Sequence, residues 1–160
     1  MAKNVKTRAI RELDEKEIPY RLLRQAHRAR NAEEAARERG VALRRVVKTL
    51  LVKRPDGRYL IALVRGDKRL SLKKLARLVG VKKLEMAPHP DVPRITGYRI
   101  GAVAPFGLRR ANLPVYIDAH ILEEERVSTS AGRHDAGLEL TTEDLLRAVG
   151  GQVADITEDG

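Results

Sequence analysis

Two apolar runs, residues 46–53 and 59–64, flank the tripeptide Pro55-Asp56-Gly57. No other feature constrains the fold of this chain as strongly. Asp-Gly supplies the positive backbone angles that a tight turn needs, so the two runs are predicted to pair as an antiparallel hairpin. Alternate residues of a strand share a face. Val46, Lys48, Leu50 and Val52 then lie on one side, and Val47, Thr49 and Leu51 on the other. Both sides are apolar apart from Lys48 and Thr49, which predicts a strand covered on two faces.

The rest of the chain supplies those covers. Asn4 is predicted to cap a first helix with Val5, Ala9 and Leu13 on one stripe and Ile10 beside it. Residues 20–24 read as a strand. Asn31 with Glu34 makes a capping-box pattern, and Gly40 closes that helix. Ser71 caps a helix bearing Leu72, Leu75, Leu78 and Val79, with Gly80 as its stop. Pro88, Pro90 and Pro93 make residues 86–93 a loop or a broken helix. Residues 97–107 form an apolar segment punctuated by glycine and proline, and 115–118 and 126–129 read as strands. Thr141 with Asp144 opens a last helix carrying Leu145, Leu146 and Val149 and ending at Gly150, before a short closing strand at 153–156. Hairpin and helices are intermixed without regular βαβ spacing. The predicted fold is therefore α+β: one domain over residues 1–160, with a mixed, partly closed sheet or barrel and helices packed outside.

Composition narrows the chemistry. Cysteine is absent, which excludes disulfides, thiolate catalysis and Cys-type zinc sites. His27, His89, His120 and His134 show no metal-ligand spacing, Glu123-Glu124-Glu125 reads as a solvated run, and no phosphate-binding glycine loop is present. Neither a metal nor an organic cofactor is expected. No apolar run approaches a membrane span and the first residues lack a secretory h-region, so a cytoplasmic location is the expectation. The net charge of +10 points to a polyanionic partner, nucleic acid first. Aromatics make up only 3%, which argues against a base-stacking platform and for contact through phosphates.

Lys48 is the anomaly in the hairpin. Stripping water from a lysine is costly and lowers its pKa, so the position is either a strand end from which the ammonium reaches water or a working site. Two further stretches are candidates to meet it. One is Thr96-Gly97-Tyr98-Arg99-Ile100-Gly101-Ala102-Val103-Ala104-Pro105-Phe106-Gly107, whose glycines let main-chain amides approach a ligand. The other is Ser128-Thr129-Ser130-Ala131-Gly132, a run of small residues with hydroxyls. Together they suit a pocket for a small acyl or aminoacyl group, whose developing oxyanion needs preorganised N–H donors.

These motifs resemble the YbaK/EbsC family of aminoacyl-tRNA editing domains, freestanding relatives of the editing insertion of prolyl-tRNA synthetase. Val47-Lys48-Thr49-Leu50-Leu51, Thr96-Gly97-Tyr98 through Gly101 to Pro105-Phe106-Gly107, Val115-Tyr116-Ile117-Asp118, Ser130-Ala131-Gly132 and Leu138-Glu139-Leu140 carry the likeness across nearly the whole chain. The resemblance implies hydrolysis of the ester joining a wrong amino acid to a tRNA, most often proline tRNA carrying Cys or Ala. Lys48 takes the place of the essential lysine, with Thr49 beside it. Thr96, Gly97, Gly101, Pro105, Phe106 and Gly107 match the loop shaping the pocket, and Ser130, Ala131 and Gly132 match its small-residue turn. Two departures stand out: Gly137 falls where members that clear cysteine often carry Asp, and Gln25 where some carry Tyr. The residues do not rank Cys, Ala, Ser and Thr as the amino acid removed.

The implied mechanism gives Lys48 the substrate's carbonyl or terminal phosphate and the charge that develops in the transition state. Backbone amides around Gly101 and Gly132 complete the oxyanion site. No side chain offers itself as general base, which leaves the tRNA's own ribose hydroxyl or a substrate thiol. Arg69, Lys73, Lys74, Arg77, Lys82, Lys83, Arg109 and Arg110 are the candidate phosphate contacts to the tRNA. Prolyl-tRNA synthetase is a candidate partner. The alternative reading is a non-catalytic module of the same fold that binds tRNA or the synthetase.

Overall fold

The expected hairpin forms. In the computed structural model, which describes residues 6–159, β2 (Val47–Lys53) pairs antiparallel with β3 (Tyr59–Arg65), placing Lys48 opposite Val64 and Lys53 opposite Tyr59. Arg54 N donates to Arg58 O at 2.7 Å and Gly57 adopts φ +88°, the left-handed angle that glycine takes freely. β3 is buried along its whole length. It pairs in parallel with β5 (Val115–Asp118), which pairs in parallel with β8 (Gln152–Ala154). With the two-residue strand β4 (Glu85–Met86), the sheet order is β4-β2-β3-β5-β8.

A second, antiparallel sheet has the order β1-β7-β6, from β1 (Arg21–Arg24), β6 (Arg126–Arg133) and β7 (Ala136–Thr141). Ile61 and Leu63 of β3 bury into a core shared with this sheet, α1 (Arg8–Glu15) and α5 (Thr142–Val149). Leu60, Ala62 and Val64 face a separate core under α3 (Leu72–Val79). Burying a side chain of this size stabilises the fold by roughly 1.5–3 kcal/mol, so β3 is the spine on which both layers rest. The remaining helices are α2 (Ala32–Arg39) and α4 (Asp91–Thr96).

The mixed α/β class stands, but the sheet does not close into a barrel. The two sheets are open and touch through one parallel bridge, Val46 to Ser128. The edge strands β4 and β8 have two and three residues, too few for a ladder that would join the edges. The cap expected at Asn4, with Val5 on the stripe, lies outside the described residues. Helix α1 starts at Arg8, where Thr7 Oγ1 accepts from Ile10 N at 3.2 Å. The strand expected at 126–129 runs on to Arg133, and the Leu138-Glu139-Leu140 stretch is its partner, β7. The proline-rich stretch holds α4, because Pro93 sits in the first turn, where its missing N–H has no intrahelical partner.

Candidate active site

A cavity of about 270 Å³ lies between the first half of β2, the inner face of α2, the loop at 101–103 and Ser130 of β6. The sheet itself creates the opening. β4 covers β2 only at Val52 and Lys53, so the Lys48 end of β2 has no neighbour of that ladder on its outer side. Ala87 N donates to Leu51 O across that side. Main-chain groups alternate along a strand, so Thr49 turns its N–H and C=O toward the same open edge.

Lys48 leaves the strand on the face of Leu50 and Val52, at the end of the α3 core. Its Nζ donates to Lys68 O, in the loop after β3, at 2.5 Å. The side chain is half-buried: it leaves the apolar strand for a main-chain carbonyl, and it lines the cavity. Desolvation pulls its pKa below the ordinary lysine value. The carboxylates of Glu33 and Asp67 oppose that shift, and the Arg69 guanidinium adds to it. An ammonium has three N–H donors and the carbonyl takes one, which leaves two for a ligand. Thr49 Oγ1, on the other face of β2, is buried with no hydrogen-bond partner. Such a group is rare in a folded protein and makes a free donor and acceptor in the wall.

The 96–107 segment reaches the cavity only at Gly101 and Val103. Gly101 sits at the exposed mouth with φ +85°, where a Cβ would stand 3.4 Å from Arg30 O and from His134 Nε2. Ser130 Oγ donates to Ala102 O at 3.0 Å and accepts from Gly132 N at 2.9 Å, tying the loop to β6. The other expected pocket residues hold this loop from behind. Thr96 Oγ1 donates to Val92 O at 2.6 Å, and Gly97 ends α4 with φ +83°. Pro105 and Phe106 are buried, and Tyr98 Oη donates to Phe106 O at 2.5 Å. Gly107 passes against the backbone of Arg8, its N–H donating to Glu12 Oε1 at 3.1 Å. Ala131 is fully buried with its carbonyl accepting from Thr7 Oγ1, and Gly132 packs on the Tyr98 ring. Because the Gly132 amide is already engaged by Ser130, it does not complete an oxyanion site with Gly101, contrary to the expectation from the sequence.

Several lining residues gave no sequence signal as site residues: Asn31, Ala32, Glu33, Ala35 and Arg39 of the α2 region, with Val46. Asn31 caps α2 by accepting from Glu34 N at 2.8 Å. Ala32 and Ala35, three residues apart on the helix, leave room for the cavity. The one group of the described residues with cation-ligand geometry, Asp118, His120 and Asp155, lies elsewhere. Its oxygens already accept from Ile156 N at 3.1 Å, His120 N at 3.2 Å and Lys74 Nζ at 3.0 Å.

A sequence model of the aminoacyl-tRNA editing domain matches residues 26–148. The chain belongs to that family. This editing domain is accordingly a hydrolase of the aminoacyl-tRNA ester bond. It is 32% identical over 154 residues, 95% of this chain and 93% of the relative, to an Enterococcus faecalis protein provisionally named Cys-tRNA(Pro)/Cys-tRNA(Cys) deacylase EbsC. It is 39% identical over 99 residues to the proline--tRNA ligase of Geobacter metallireducens, a match covering 62% of this chain and 16% of the ligase. A crystal structure described provisionally as a trans-editing enzyme for prolyl tRNA synthetase superposes with a TM-score of 0.87 at 32% identity, covering 98% of the editing domain and all of that chain.

The basic residues divide. Lys74 is held by Asp155 and Asp159 at 3.0 and 2.8 Å, Lys83 lies 3.7 Å from Glu85, and Arg69 lies 4.0 Å from Glu158. Lys73, Arg77, Lys82 and Arg109 are exposed, and Arg110 stacks 5.6 Å above the Tyr59 ring. A larger groove of about 590 Å³ runs past the cavity mouth at Arg30 and His134 and contains Arg28 and Arg37. No helix among the described residues is long and apolar enough to cross a membrane.

Proposed function

We propose that this domain removes a small, wrongly attached amino acid from proline tRNA in trans, with Lys48 as the catalytic residue. The observation that carries the reading is the Lys48 ammonium, partly stripped of water and with donors to spare, on the wall of a cavity of about 270 Å³. That volume falls below the roughly 300–1,000 Å³ of pockets for drug-sized ligands and suits an aminoacyl end. The resemblance to EbsC over nearly its full length, and to part of a proline--tRNA ligase, supports the choice of tRNA.

The aminoacyl ester enters past Gly101 and lies along β2. Lys48 donates to the ester carbonyl or to the terminal phosphate, where negative charge gathers as the tetrahedral intermediate forms. The main chain of Thr49 positions the acyl group against the open edge. Glu33 is the one carboxylate on the wall and no histidine lines it. Glu33 acts on Lys48 as a counter-charge, and the attacking water is oriented by the tRNA's own ribose hydroxyl, or a substrate thiol attacks in its place. Arg69, whose charge is felt at Lys48, and Arg28 and Arg37 in the adjoining groove take phosphates of the acceptor end.

The test is a deacylation panel across mischarged tRNAs with Lys48→Ala as the comparison. Hydrolysis by the native domain that is lost in folded Lys48→Ala supports the reading. Equal turnover by the two proteins, or tRNA binding with no hydrolysis of any substrate, refutes it.

A further inference from the structure

Arg39, the last residue of α2, lines the cavity and is not accounted for by the mechanism above. Its guanidinium lies across the backbone of Gly137 in β7. A Cβ at 137 would stand 2.2 Å from Arg39 Nε and 2.7 Å from Cζ. Gly137 lies outside the left-handed region, so its backbone does not require glycine; the space taken by Arg39 does. Nε donates to Gln25 Oε1 at 2.8 Å and Nη1 to Ser128 Oγ at 3.2 Å. Gln25, Ser128 and Gly137 thus make the seat of one arginine.

The electrostatics of this seat are unusual. Both acceptors are neutral, and no carboxylate among the described residues pairs with Arg39. Burial alone acts on the guanidinium, pulling its pKa down to about 10. A desolvated cation without an anion is destabilising, and buried charges are normally paired. Two of its five N–H donors are used within the protein, and the others are left for whatever fills the cavity. Arg39 also stands at the opposite end of α2 from Asn31. Asn31 and Gly101 are exposed at the mouth, and the eight residues of α2 from Ala32 to Arg39 span about 12 Å along the helix. A substrate that enters at Gly101 with its ester near Lys48 therefore points its side chain toward Arg39.

We propose that Arg39 is a specificity-determining residue that reads an oxygen acceptor, hydroxyl or carboxylate, on the side chain of the amino acid removed. Serine, threonine or aspartate is then favoured over alanine, cysteine or valine. A guanidinium seat built to donate hydrogen bonds rejects an isostere that cannot accept them, because its donors are left unpaired. This inference rests on the deacylase reading and assigns its substrate class.

The experiment measures kcat/KM on one tRNA acylated with matched pairs, serine against cysteine and threonine against valine, with aspartate added. The native domain is expected to prefer the oxygen-bearing member by about tenfold or more. Arg39→Leu brings the ratios close to one. Arg39→Lys, which keeps charge but loses the fork, leaves a reduced preference. Gly137→Ala displaces the guanidinium from behind and shifts the ratios in the same direction, giving a second route if Arg39→Leu folds poorly. Equal loss on every substrate places Arg39 on the ribose or phosphate common to all, and overturns the inference. Hydrolysis with ratios unchanged in Arg39→Leu and Gly137→Ala overturns it while the deacylase reading stands. No hydrolysis of any member by the native domain overturns both.

Discussion

Replacing Lys48 by methionine separates the cost of this lysine to the fold from its value to the reaction. The substitution keeps an apolar stem along β2 and removes the ammonium. Two stability effects then oppose each other. Lys68 O loses the donor now 2.5 Å away, but the loop is only half-buried and water replaces much of the bond, so the loss is about 1 kcal/mol. Removing a charge that the strand has partly stripped of water recovers about 1–2 kcal/mol. The net change is within about 1 kcal/mol, a Tm shift of roughly 2–4 °C for a domain of this size, on the side of stabilisation. Catalysis has no such cancellation. Losing one preorganised donor to a developing oxyanion costs about 10²–10³ in kcat, roughly 2.7–4 kcal/mol. Lys48→Met is therefore expected to melt at or slightly above the native temperature and to deacylate at least about a hundredfold more slowly. Single-turnover deacylation beside a thermal melt decides it. Activity within about threefold of native, or a loss of activity that simply tracks a collapse in Tm, refutes the argument.

Three further outcomes follow from the same geometry. Because burial lowers the Lys48 pKa and the charged form is the active one, deacylation is lost as pH rises through that lowered value, before the ordinary lysine range near 10.4; a pH profile corrected for spontaneous ester hydrolysis shows the limb. Folding disfavours the same proton, so Lys48 makes the native domain gain stability as pH rises from its folded pKa to its unfolded one, and Lys48→Met lacks this gain in melts across that window. Gly107→Ala puts a methyl 2.3 Å from the Arg8 carbonyl carbon at φ +63°, which together cost about 3 kcal/mol and lower Tm by roughly 6–12 °C. If Arg28 and Arg37 contact tRNA phosphates, replacing either with Ala weakens binding and reduces the log–log salt slope by about 1, as fluorescence anisotropy across a salt series reads.

Local chemistry determined much of this protein by itself. The Asp56-Gly57 turn announced the β2–β3 hairpin, Ser71 and Gly80 bounded α3, Asn31 and Gly40 bounded α2, and a lysine between valine and threonine in an apolar strand marked the candidate site. Each signal acts within a few residues, through a cap, a positive φ or a face alternation, and so survives without knowledge of the fold. The tertiary structure decided what those signals could not carry. It left the Lys48 end of β2 uncovered by β4, spent the Ser130 and Gly132 donors on holding a loop, and turned most of the 96–107 segment into a support for that loop. It also brought Gln25 and Arg39 together with Ser128 and Gly137, from the far end of the chain, into one seat. Whether a polar group is free for a ligand depends on which distant partner has already satisfied it, and only packing between sheets and helices supplies that partner.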